Sequence, residues 1–215
     1  MDRRSFTRNA LAGLGLTLFQ PVLARAAMAA VTPPAFAHMP WSGLLDRAKA
    51  ALDQHQGQFE LRDRIAIADF TQASKDMRFH IVDLVSGQSH SYLVAHGRGS
   101  DPAHSGWLQR FSNEPNSLAS CAGAFKTGEI YDGQHGAAMR LLGLDAQNSN
   151  AESRAIVIHG ADYVGENQIA AWGKLGRSEG CFALAPHMLP QVLGMLGPGR
   201  MLYADKMPSA LTQSA

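Results

Sequence analysis

The chain has 215 residues, 46% of them apolar and 17% charged, and a formal net charge of +1. This is the composition of a packed globule, and it excludes a disordered or collagen-like chain; the length fits one large domain. The charge is near zero and no run of Lys or Arg breaks it, so nothing recommends a nucleic-acid partner. Two cysteines are too few for a disulfide framework.

Residues 1–29 have the order of an export signal. Arg3-Arg4-Ser5-Phe6 forms a charged start, Ala10 to Phe19 an apolar run, and Ala24-Arg25-Ala26 and Ala27-Met28-Ala29 small-residue cleavage sites. The paired arginines resemble a twin-arginine signal. An uncleaved anchor is the alternative, but the apolar run is shorter than the roughly 20 residues a spanning helix needs. After cleavage 15 basic and 17 acidic residues remain. The mature chain is therefore expected to be exported, periplasmic or wall-associated, monomeric, without a membrane span and without a nucleic-acid surface. Residues 30–40 read as a Pro/Ala-rich linker, 41–205 as the functional domain and 206–215 as a flexible tail.

Trp41 to His55 has Leu44, Leu45, Ala48, Ala51 and Leu52 at helical spacing, and Gly57 is expected to end the helix. Short strand-like runs follow at 64–70, 78–83 and 89–95, the last two joined through Val85-Ser86-Gly87-Gln88 as a hairpin. His96 to Ala122 has little periodicity, and a loop that long inside a domain is usually functional. Strands resume at 123–131, 138–142 and 155–159. A helical turn is expected over 167–172 and a helix over 186–196 with Pro190 in its first turn, where a missing N–H costs little. A last strand is expected over 200–204. The order predicts a mostly β domain with a few helices.

The chemistry concentrates in Ile156-Val157-Ile158-His159-Gly160 and Arg177-Ser178-Glu179-Gly180-Cys181. An imidazole can take the proton of a thiol that attacks a carbonyl. Gly180 permits a tight turn before Cys181, whose neighbouring amides can face an oxyanion. Gly160 can bring its carbonyl to the far nitrogen of His159. On these residues alone, a buried structural Cys and a strand-end His remain the simpler reading.

The two segments resemble the active-site signature of the L,D-transpeptidase (YkuD-type) family, a strand-end His-Gly followed by Ser-His-Gly-Cys. Gly123-Ala124-Phe125-Lys126 resembles a strand of the same family. The phrases Leu93 to Ser100, Phe111-Ser112-Asn113, Gly143-Leu144-Asp145 and Asn148-Ser149-Asn150 resemble its divergent murein L,D-transpeptidase branch. The resemblance covers about residues 41–205. It implies a mostly β, single-domain β-sandwich with the cysteine at the mouth of a cleft, and peptidoglycan stem peptides as substrate. Cys181 would attack the carbonyl of the third stem residue, release D-Ala and pass the acyl group to an amine. His159 would be base and then acid, oriented by Gly160, and no metal or cofactor would be needed.

Two departures stand out. The family's Ser-His-Gly-Cys is Ser178-Glu179-Gly180-Cys181 here, and its Cys-(Ile/Val)-Arg is Cys181-Phe182-Ala183. Glu179 would raise the thiol pKa if it pointed inward. Arg177 or Arg140 can stand in for the lost arginine, which makes Gly180, Ser178, Glu179, Arg177 and Arg140 the substrate-positioning candidates. Hydrolysis of the thioester, which makes the site an L,D-carboxypeptidase, and a non-catalytic peptidoglycan-binding module remain alternatives. A thiol redox protein would want Cys-x-x-Cys, and neither cysteine has a partner at that spacing. No His-Glu-x-x-His supports a zinc site. Cys121 reads as a small buried residue, its alternative being a disulfide partner for Cys181.

Overall fold

The computed structural model describes residues 36, 38–134 and 136–208, all within the unit Pro33–Ala215. The expected export signal, most of the linker, His135 and most of the tail lie outside these residues. The elements in chain order are α1 (Ser42–Gln54), β1 (Arg64–Asp69), β2 (Phe79–Asp83), β3 (Ser89–Tyr92), β4 (Gly123–Gly133), β5 (Gly136–Gly143), β6 (Val157–Gly160), α2 (Glu166–Trp172), β7 (Phe182–Leu184), α3 (Leu189–Leu196) and β8 (Met201–Asp205).

Ile65-Ala66-Ile67-Ala68 is apolar at every position, and a strand sends alternate side chains to opposite faces, so β1 needs cover on both. Ile65 and Ile67 meet Leu44, Leu45, Ala48 and Leu52 from the apolar stripe of α1. Ala66 and Ala68 belong to a second, larger core with Phe79, Ile81, Phe125, Met139, Ile158, Phe182 and the α3 residues Val192, Leu193 and Leu196. Each fully buried Leu, Ile or Phe here contributes about 1.5–3 kcal/mol from desolvation.

All eight strands form one hydrogen-bonded sheet in the order β3-β2-β1-β8-β4-β5-β6-β7. Pairings are antiparallel except β1 with β8 and β6 with β7. Just beyond β3, Ala95 donates its amide to Ala183 of β7 at 2.9 Å. The segment after β3 thus touches β7, the strand at the other end of the order, through one isolated bridge.

The elements agree with the expectations apart from a few boundaries and one strand. The final helix starts at Leu189, because Pro186 to Met188 form a turn in which the Met188 and Leu189 amides both reach Ala185 O. Gly57 lies in a short 3-10 turn after α1, which has already ended at Gln54. The β4–β5 hairpin is longer than its apolar residues suggest, with an irregularity between Thr127 and Ile130. β7 was not expected at all; three residues are too few to show a period, and its partners, β6 and Ala95, supply the pairing.

Candidate active site

Ile158 and Phe182 both point into the larger core. They are direct partners in the parallel β6–β7 pair, as are His159 and Ala183. Alternation therefore turns His159 and Cys181 to the other face, where they lie two register positions apart. Both line a cleft of about 710 Å3, together with Arg154, Tyr163, Arg177, Ser178 and Glu179. Tyr131, Gly133 and Gln134 from the β4–β5 hairpin and Leu118 from the long loop complete its walls.

His159 is buried, and its Nδ1 lies 2.8 Å from the Gly160 carbonyl. A carbonyl only accepts, so Nδ1 carries a proton, and in the neutral ring Nε2 is then the acceptor. The turn before the cysteine is closed by Ser178. Its hydroxyl donates to Cys181 O at 2.7 Å and accepts from the Gly180 amide at 3.2 Å. The Gly180 amide is thus engaged by Ser178, and its contribution is to the shape of the turn. Gly180 has φ +119, and a Cβ there would stand 2.7 Å from Ala119 O and from Ile156 Cδ1. Only glycine fits both the conformation and the space.

The Cys181 sulfur lies 3.5 Å from Ala155 O. Burial pushes its thiol pKa up; the Val157 amide and the Arg154 cation oppose this, and the Glu179 and Cys121 charges add to it. The resting group is the thiol, so attack on a carbonyl needs a base at the moment of reaction. Glu179 is largely exposed and is held by Arg98, with Arg98 Nη2 2.6 Å from Glu179 Oε1. Cys121 is fully buried, both cysteines are free thiols, and Arg154 Nη1 contacts Cys121 Sγ at 2.8 Å. Tyr163 is pushed up to about 12 by burial first, then by the Cys181 and Glu179 charges.

Arg177 lines the cleft, but its Nη1 donates to the Asp101 and Pro102 carbonyls. Arg140 pairs with Glu129 at 2.7 Å and lies 4.4 Å above the Tyr131 ring. It stands opposite Val157 in the β5–β6 register, on the cleft face but outside the residues that line the cleft. The sequence did not single out Arg154 or Tyr163, which belong to no motif, and it gave Arg98 no role beyond its place in the Leu93–Ser100 phrase. Among the described residues no three His, Cys, Asp or Glu side chains gather to hold a metal ion.

The long loop reaches the cleft because its start is anchored to the turn of Cys181. Ser178 N donates to His96 O at 3.0 Å and Arg98 N to Ser178 O at 2.7 Å. Gly97 packs so closely that a Cβ would meet Gly180 Cα at 2.8 Å. Beneath it lies a buried polar chain. Arg78 Nη2 donates to His96 Nδ1 at 2.8 Å, and His96 Nε2 faces Asp101 Oδ2 at 3.5 Å. Arginine only donates, so His96 carries its proton on Nε2. Asp101 in turn accepts from the Ser105 and Gly106 amides, both at 2.8 Å.

Residues 42–204 match the family model of the L,D-transpeptidase catalytic domain. A comparison with curated proteins finds no match. Among solved structures the chain is similar to an L,D-transpeptidase from Mycobacterium smegmatis, at 13% identity over 66% of this chain and 58% of that one, with a TM-score of 0.40. It is also similar to a mutant form of the helical cell shape determining protein of Campylobacter jejuni, at 12% identity over 70% and 49%, with a TM-score of 0.45. An L,D-transpeptidase from Xylanimonas cellulosilytica matches at 14% identity over 74% and 69%, with a TM-score of 0.39. The chain spans 58% and 49% of the first two of these solved chains.

Proposed function

The chain belongs to the L,D-transpeptidase catalytic domain family, and on that premise we propose that it is a peptidoglycan-modifying acyltransferase with Cys181 as nucleophile and His159 as general base and acid. The observation that carries the reading is the pairing of His159 and Cys181 on one face of the β6–β7 pair, in one cleft, with Nδ1 tied to Gly160 O.

In this mechanism Cys181 Sγ attacks the carbonyl carbon of the third stem residue while His159 Nε2 takes the thiol proton. The tetrahedral intermediate collapses, the amide bond breaks, and the imidazolium returns the proton to the departing D-Ala amine. A thioester on Cys181 remains. An amine of a second stem peptide then attacks it, loses a proton through His159, and leaves with the acyl group, while the sulfur regains its proton. Water in place of the amine gives the carboxypeptidase outcome. Ser178 and Gly180 set the turn that presents the sulfur. Arg177 and Arg140 lie on the cleft face as positions where a substrate carboxylate can be met. The substrate places the working protein outside the cytoplasmic membrane, in keeping with the export signal read in residues 1–29. No helix among the described residues is long and apolar enough to cross a membrane.

The test is incubation with a disaccharide tetrapeptide, followed by mass. D-Ala release and an acyl adduct on Cys181 are expected, with cross-linked dimer where an amine acceptor is used. Cys181→Ser is expected to lose the adduct and the release, and His159→Ala to slow both by about 100-fold or more. Release at the native rate by Cys181→Ser refutes the assignment. A folded native protein that binds the tetrapeptide without any adduct identifies a binding module instead.

A further inference from the structure

Arg154 and Glu179 line the cleft and have no role in the mechanism above, and Arg154 is the cation of the two. It follows a run of turns, with its amide bonded to Asn150 O at 2.9 Å. Its successor Ala155 takes φ +52, a conformation that costs a residue with a Cβ about 1–2 kcal/mol. This left-handed residue swings the chain into β6 and leaves its own carbonyl 3.5 Å from Cys181 Sγ. The guanidinium enters the cleft beside the turn of Cys181. Its Nη2 lies 3.3 Å from where a Cβ on Gly180 would be.

What Arg154 binds is as informative as where it lies. Nη1 donates to Ser112 O at 2.8 Å and contacts Cys121 Sγ at 2.8 Å, while Nη2 donates to Ala119 O at 2.6 Å. These partners hold the inner wall of the long loop, and none is a carboxylate. Among the described residues Arg154 makes no salt bridge, whereas Arg98 and Arg140 are each paired with a glutamate. A half-buried cation without a carboxylate partner, in the cleft of Cys181 and against the Gly180 turn that carries it, is placed to meet a negative charge that forms during the reaction.

We infer that Arg154 is a positioning residue of the Cys181 site, a cation held by the loop wall beside the Gly180 turn whose charge balances the negative charge on the Cys181 sulfur as its proton leaves. This rests on the reading of Cys181 as the nucleophile. The other titratable or charged groups of the cleft are His159, Tyr163, Arg177 and Glu179, the last paired with Arg98, and the buried Cys121 also acts on the thiol through its charge. Of these, Glu179 and Cys121 act against a thiolate, and Arg177 is held to backbone carbonyls of the loop. The direction in which Arg154 moves the thiol agrees with the geometry.

The experiment is iodoacetamide alkylation of the folded protein across pH, read at Cys181 by peptide mass, for the native chain, Arg154→Lys and Arg154→Gln. Loss of the cation is expected to raise the Cys181 midpoint by about one pH unit in Arg154→Gln, a tenfold smaller thiolate fraction below the midpoint. Arg154→Lys keeps the charge and is expected to stay within about 0.3 unit of the native midpoint. An unchanged midpoint in folded Arg154→Gln overturns the inference. So does an equal rise in both variants, because the loss is then of the loop-wall contacts and not of the charge. Should Arg154→Gln unfold, Arg154→Met takes its place, with the same rise of about one unit expected and an unchanged midpoint overturning the inference. The readout needs no acyl transfer, so D-Ala release by Cys181→Ser sinks the nucleophile reading while the midpoint comparison still judges Arg154.

Discussion

Lowering the pH from 7.5 to 5 is expected to cost the folded protein about 4 kcal/mol, because His80 and His96 are buried in their neutral forms. Burial holds His80 down to about 4, and burial aided by the Arg78 charge holds His96 down to about 3. His80 stacks on Trp41 at 4.9 Å, with Nδ1 2.8 Å from Ser91 Oγ. His96 is faced by Arg78 at Nδ1 and by Asp101 at Nε2, with Arg177 near enough to weigh against its charge. A second proton on His96 would have to enter at Nδ1, where Arg78 already points an N–H. Both folded pKa values lie below the unfolded value of about 6.5, so the unfolded chain binds protons first as the pH falls. The stability is fully present above about 6.5 and is lost on the way down toward the folded values. At pH 5 the unfolded chain has gained about 1.5 units of protonation free energy per histidine, about 2 kcal/mol each at 1.36 kcal/mol per unit. That is a large share of the 5–15 kcal/mol typical of a domain. Asp63, Asp83 and Asp101 have pKa values below the ordinary 3.8, so their losses come mainly below pH 5 and stay outside the window. Urea unfolding followed by tryptophan fluorescence at pH 7.5 and 5 measures the difference. His80→Gln and His96→Gln should each shrink it by about 2 kcal/mol, whatever each costs at pH 7.5. A native loss below about 1 kcal/mol, or a double variant that keeps the whole loss, refutes the reasoning.

Gly180→Ala forces a Cβ into φ +119 and to 2.7 Å from Ala119 O, so a loss of at least about 1–3 kcal/mol from the backbone alone is expected in thermal or urea unfolding, with D-Ala release abolished. Ser178→Ala removes the hydroxyl that joins Gly180 N to Cys181 O; about 1–3 kcal/mol of stability and about tenfold in release rate should go, and native kinetics would show that the turn holds without the clamp. Glu179→Gln removes an anion that opposes the thiolate, so the Cys181 alkylation midpoint should move down, and a rise would contradict the placement of that charge. Cys121→Ser leaves a small buried group against Arg154 and is expected to keep most of the release rate, whereas a full loss would give Cys121 a part in the reaction.

Much of this protein was legible before any coordinates, because much of it is local. The 3.6-residue stripe of α1, the unbroken apolar run of β1 and the Val-Gly punctuation of the β2–β3 hairpin are each written within a dozen residues. His159 and Cys181 also stood out, each marked by a neighbouring glycine, and the strand-end His-Gly and the Ser-x-Gly-Cys turn carried the family resemblance. The strand order was not legible. β8 inserts between β1 and β4, and Ala95 reaches β7, through contacts whose partners share no local pattern. The charge pattern of the site was hidden for the same reason. Nothing near Glu179 in the sequence shows that Arg98 holds it, 81 residues away, and nothing near Arg154 shows that it meets Cys121 and Ala119, 33 and 35 residues back. A residue's own pattern of hydrophobicity and turn propensity decides whether it sits in a helix, strand or loop. Which charges a thiol feels depends on distances of a few ångströms between segments that only the tertiary fold brings together.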